Sequence, residues 1–198
     1  MNLKGNEHKV VIVHGYTASP QQNWFPWLKQ ELEKLDITVH LPAMPAPMAP
    51  QADAWIETLW QEVPEVDEKT HFIGHSLGCI ASLLYLHHRH RGQKAGSLIL
   101  VSPFSETTVT LPELAGFTEP RLPLAFARDI TPNRYVITAC DDTIVPCEYS
   151  RKTAMEMDAR LIEQKTGGHF LDREGFTTFP LVLQTLREAI DTASGSSR

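Results

Sequence analysis

Three cysteines in 198 residues are too few, and odd in number, to build a disulfide framework. Cys79, Cys140 and Cys147 show no C-x-x-C spacing, so the sequence suggests neither a zinc site nor a redox motif, and a reducing compartment suits it best. No apolar run approaches the roughly 18 residues a membrane span requires. The polar residues 1–9 lack the apolar core of a secretory leader. A cytoplasmic chain with no membrane association is the expectation. A basic excess is missing too. With 18 Lys and Arg against 24 Asp and Glu, the net charge of −6 offers no basic face to nucleic acid. What is left is the composition of a globular protein, 42% hydrophobic and 21% charged. A chain this long buries about 70% of its unfolded surface in one core, so no staple is needed and one domain is expected over residues 1–198.

Apolar patterning then places the elements. Val10 to Val13 is a β-branched run ending at His14-Gly15, as a strand buried on both faces reads. Asn23 can cap a helix whose Trp24, Trp27, Leu28, Leu32 and Leu35 recur at helical spacing, with Pro26 tolerated in the first turn. Further strands are predicted at 37–41, 71–73, 97–101, 135–138 and 160–162. Helices are predicted at 52–63, from 77 to 87, at 148–157 and at 179–192. Four prolines keep 42–50 irregular, across one end of the sheet. Residues 103–132 lose periodicity and read as a partial lid or short helices, and 194–198 as a disordered tail. Strands alternating with helices imply a mostly parallel sheet of about six strands, covered on both faces.

Gly74-His75-Ser76-Leu77-Gly78 matches G-x-S-x-G and lies between a predicted strand and a predicted helix, the setting of a nucleophile elbow. A serine hydroxyl needs a base to take its proton. His169, in Gly167-Gly168-His169-Phe170 after the last predicted strand, is the candidate; a surface-loop histidine is the plainer alternative. The base needs a carboxylate to fix its tautomer. Asp142 of Asp141-Asp142-Thr143-Ile144-Val145-Pro146 is preferred, with Asp141 as the fallback. Each of the three follows a predicted parallel strand, so all should gather at the carboxyl edge of the sheet. Their order, Ser76, Asp142, His169, is that of the compact α/β-hydrolase fold. Oxyanion donors would be the backbone N–H groups of Leu77 and of Tyr16, in the loop after the first strand. His87, His88 and His90 read as a cationic helix end rather than metal ligands. Trp24, Trp27, Trp55 and Trp60 read as core, and Cys79 as a small buried residue.

Val10 to Gly15, Trp24-Phe25-Pro26-Trp27-Leu28, Met44-Pro45, Asp67-Glu68-Lys69-Thr70, Gly74-His75-Ser76, Leu100-Val101-Ser102, Asp141-Asp142 with Val145-Pro146, and Gly168-His169-Phe170 carry a resemblance over most of the chain. Together they resemble the small α/β-hydrolases similar to retinoblastoma-binding protein 9 and the bacterial YdeN-like proteins. The resemblance implies a compact serine hydrolase with its triad at Ser76, Asp142 and His169. The L-x-C-x-E motif behind the retinoblastoma name is missing; near that region the chain reads Val63-Pro64-Glu65-Val66-Asp67-Glu68, so no such partner is implied. The expected substrate is a small ester, thioester or activated amide, handled without metal or cofactor. A scaffold protein on the same fold, or acyl transfer to an acceptor other than water, stays open. Phe104, Leu111, Leu114, Phe117 and Leu122 suggest a modest apolar pocket. Oligomeric state is not legible.

Overall fold

A computed structural model of the chain describes residues 7–89 and 92–195. Its centre is a six-stranded sheet in the order β2-β1-β3-β4-β5-β6, every neighbouring pair parallel. The strands are β1 (Lys9–Val13), β2 (Thr38–His40), β3 (Thr70–His75), β4 (Ser97–Val101), β5 (Arg134–Ala139) and β6 (Arg160–Gln164). The helices are α1 (Phe25–Glu33), α2 (Ala52–Glu62), α3 (Leu77–Arg89), α4 (Ala127–Ile130), α5 (Cys147–Met157) and α6 (Pro180–Gly195). The expected α/β architecture is therefore present.

Two-residue periodicity sorts the strand side chains into two cores. Val10, Ile12, Ile73, Ile99 and Ile137 face one side, against Phe25, Leu28 and Leu32 of α1 and Val182, Leu186 and Ile190 of α6. Val11, Val13, Phe72, Leu98, Leu100 and Val136 face the other, against Trp55 and Leu59 of α2, Ile80 and Leu83 of α3, and Ala154 and Met157 of α5. Both faces are covered, so β1 and β4 read as nearly unbroken hydrophobic runs, while β3 carries buried His71 and His75 near its ends. Trp24 and Trp55 are buried in these cores, and Trp27 and Trp60 pack on their edges, in keeping with a structural role.

The expected irregular stretches are where they were placed, with differences in detail. Residues 42–50 run across the cavity end of the sheet, where the Thr17 N–H donates to the Pro47 carbonyl at 2.9 Å and Trp55 Nε1 to that of Pro45 at 2.8 Å. Residues 103–132 fold into short helices, including 3-10 turns at Pro112–Phe117 and Leu124–Phe126, and then α4. Phe104, Leu114, Phe117 and Leu122 turn inward and join the core under α2 and α3; Phe117 and Leu122 also border a second cavity, and none of the four lines the one that holds Ser76. Ser194 and Gly195 extend α6 instead of starting a tail, and 196–198 lie outside the described residues. Asn23 is not the cap of α1; that position is Trp24, and no side chain bonds the helix N-terminus. Among the described residues no helix is long and apolar enough to cross a membrane.

Candidate active site

Ser76 stands between the end of β3 and the start of α3, with φ of 53°. A non-glycine residue pays for that conformation with strain, and such strain persists only where the surroundings impose it. They do so here. The Ser76 N–H donates to the Val101 carbonyl of β4 at 2.8 Å, and the Cys79 N–H closes the turn onto the Ser76 carbonyl at 3.0 Å. Gly78 lies so close to β1 that a Cβ there would collide with the carbonyl oxygens of Val13 and His14. A Cβ on Gly74 would stand 2.7 Å from Cys79 Cα. The glycines two residues either side of the serine thus let the helix start directly on the sheet.

The acidic pair after β5 divides its work. Asp142 is buried, and its Oδ1 accepts from the N–H groups of Ile144 and Val145, both at 2.9 Å. Its Oδ2 accepts from His169 Nδ1 at 2.7 Å. Asp141 turns the other way and accepts the Gly168 N–H at 2.9 Å. One carboxylate, Asp142, therefore meets the imidazole, and the other, Asp141, fixes the loop that carries it.

His169 is buried at 4% exposure, although its loop is at the surface. Its backbone is pinned on every side. Glu174 Oε2 accepts the N–H of His169 at 2.9 Å and of Leu171 at 3.0 Å, and His75 Nε2 donates to the His169 carbonyl at 2.8 Å. Asn23, with φ of 55°, accepts the Asp172 N–H at 2.9 Å. Phe170 follows with φ of 57° and stacks on Phe179 with ring centroids 4.8 Å apart. Because Nδ1 is held by Asp142, Nε2 is the ring nitrogen left for chemistry.

Ser76 and His169 line one cavity of about 460 Å³, whose wall also includes Gly15, Tyr16, Thr110, Leu111, Ile144 and Arg173. A Cβ on Gly15 would lie 3.1 Å from Ser76 Cβ, so this backbone passes as close to the serine as sterics permit. His14 holds it there: Nδ1 donates to the Gly15 carbonyl at 2.9 Å and Nε2 accepts the Met44 N–H at 3.0 Å. An accepting Nε2 requires the neutral ring, and burial lowers the His14 pKa accordingly. Among the described residues, the N–H groups of Tyr16 and Leu77 donate to no protein acceptor. His75 is fully enclosed, and desolvation first, then its neighbour His169, pushes its pKa down to about 3.

His14, Asn23, His75, Asp141 and Glu174 all hold this geometry; the sequence offered Asp141 only as the alternative carboxylate and Asn23 only as a helix cap, and gave the other three no part. Only Glu174 left a local signal, a carboxylate at the third position of the 3-10 turn Asp172–Glu174, where it reaches back to free N–H groups as in a capping box. His87 and His88 occupy the last turns of α3, and His87 packs edge-on against Phe126. His90 lies outside the described residues.

The chain is similar to known hydrolases over most of its length. The hydrolase YdeN of Bacillus subtilis is 39% identical over 178 residues, covering 90% of this chain and 94% of that protein. The serine hydrolase RBBP9 of Rattus norvegicus is 27% identical over 186 residues, covering 92% and 97%. The crystal structure of the B. subtilis ydeN gene product superposes with a TM-score of 0.89 at 38% identity, covering 93% of this chain and 99% of that one. Residues 10–188, nearly the whole described sheet and its helices, match the family described as serine hydrolase, and the chain belongs to that family.

Proposed function

We propose that the protein hydrolyses small carboxylic esters, thioesters or activated amides through an acyl-enzyme formed on Ser76. The observation that carries this reading is the 2.7 Å bond between His169 Nδ1 and buried Asp142, made by an imidazole that shares a cavity with a serine held at positive φ. Ser76 Oγ attacks the acyl carbonyl while His169 Nε2 takes its proton. Asp142 holds the tautomer and stabilises the imidazolium. The N–H groups of Leu77, at the start of α3, and of Tyr16, in the loop braced by His14, receive the oxyanion. The leaving group departs with the proton from His169, which then draws a proton from water as the water attacks the acyl carbon. The acid is released and Ser76 is restored.

A cavity of about 460 Å³ lies at the small end of the range for ligand sites. Its wall mixes Leu111 and Ile144 with Tyr16, Thr110 and Arg173, which favours a short acyl group with a polar portion over a long alkyl chain. The chemistry needs neither metal nor cofactor, and the free thiols of Cys79, Cys140 and Cys147 accord with a cytoplasmic setting.

A fluorophosphonate probe tests the proposal directly. Labelling at Ser76 that disappears in His169→Ala is expected; no labelling of the folded wild type would move the chain to the scaffold reading. Ser76→Ala should lower kcat by roughly 10⁶. A p-nitrophenyl ester series should peak at short acyl chains.

A further inference from the structure

We propose that Cys140, Cys147 and Glu163 form a binding site for a thiophilic divalent cation of the zinc type, outside the catalytic cavity. The three come from different elements: Cys140 directly follows β5, Cys147 opens α5, and Glu163 lies in β6. Their two sulfurs and one carboxylate oxygen all lie within 4.8 Å of one another. Tetrahedral zinc, with bonds of about 2.0–2.3 Å, holds its ligand atoms roughly 3.5–3.8 Å apart, so closing the site needs side-chain movement on the order of 1 Å. The backbone is already set for it, since the Cys140 N–H donates to the Gln164 carbonyl at 2.9 Å and ties the end of β5 to β6 beside Glu163.

The site already holds a cation made of protein. Arg151 Nε donates to Glu163 Oε2 at 2.7 Å and its Nη2 lies 3.9 Å from Cys140 Sγ. That guanidinium therefore lies between the Glu163 carboxylate and the Cys140 thiol, where an incoming cation would replace it. Both thiols are free, and Cys140 and Glu163 are exposed, so an ion can reach them from solvent. Two thiolates with one carboxylate select zinc-type ions over magnesium or calcium. On binding, each cysteine releases one proton to solvent, three ligand bonds form, no electron moves, and the fourth position is left to water.

Cobalt(II) is the probe for the test, titrated into the reduced full-length protein. A thiolate-to-cobalt charge-transfer absorption saturating at about one equivalent is expected, displaced by zinc. It should vanish in Cys140→Ser and in Cys147→Ser, each checked for native circular dichroism, and Glu163→Gln should bind at least about tenfold more weakly. In the wild type, which needs no variant, zinc should shield the exposed Cys140 from iodoacetamide. Absence of the absorption, its survival in Cys140→Ser, unchanged affinity in Glu163→Gln, or alkylation unaffected by zinc would overturn the site.

Discussion

At the scale of single residues, the two adjacent carboxylates give the most discriminating comparison. Asp142→Asn keeps an oxygen for the Ile144 and Val145 N–H groups but offers His169 the wrong partner. A loss of roughly 10⁴ in kcat with little change in melting temperature is expected, by analogy with the same substitution in another triad. Asp141→Asn weakens only the tether to Gly168 and should cost about tenfold or less. Steady-state kinetics on both variants separates the roles, and comparable losses would refute the division. Asn23 shows why neighbouring sequence can mislead. Its position before an amphipathic helix fits a cap, yet its amide oxygen bonds Asp172, 149 residues away. No local rule sees that partner. The same holds for His75 and His14, whose functions lie in contacts with a distant carbonyl and a distant N–H.

At the scale of elements, β3 and α3 meet with no slack. Gly78→Ala places a methyl against the β1 carbonyls and should push α3 off the sheet, destabilising by at least about 1–3 kcal/mol. For a chain of this size that is a fall of several degrees in Tm, measurable by calorimetry. β3 also carries an acid sensitivity. His71 and His75 lie buried at its two ends, and burial pushes both down to about 3. Unfolding returns them to about 6.5. The unfolded chain therefore binds more protons between those values, and stability must drop as pH falls from about 6.5 toward 3. Each histidine contributes up to roughly 1.4 kcal/mol per pH unit in that window. Urea melts at pH 7 and pH 5 measure it; equal midpoints would contradict the burial of these rings. Elements were the most legible level. Unbroken runs such as Val10 to Val13 and Leu98 to Val101 have little alternative to a doubly covered strand. Residues 103–132 were harder, because an apolar side chain on an irregular segment reads alike whether it lines a cavity or plugs a core. Only Leu111 of the five singled out reaches the cavity.

At the scale of the molecule, the parallel sheet explains why the candidate site could be read at all. Every strand runs the same way, so whatever follows a strand lands at one edge, and three motifs far apart in sequence had to converge there. The cluster of Cys140, Cys147 and Glu163 converges by the same rule, but no spacing announces it, because its members enter from a strand end, a helix start and an edge strand. Native-state amide exchange should be slowest in β1, β3, β4 and β5, which are paired on both sides, and faster in 103–132.

Ser76 directly follows the third strand, and the seam between β3 and β4 splits the machinery in two. The first half of the chain carries the proposed nucleophile and proposed oxyanion donors; the second carries the proposed acid and base. A break within 92–96, just before β4, would leave each fragment chemically inert. Turnover would return only when the fragments dock along that seam, so catalysis in this small fold doubles as a reporter of its own assembly.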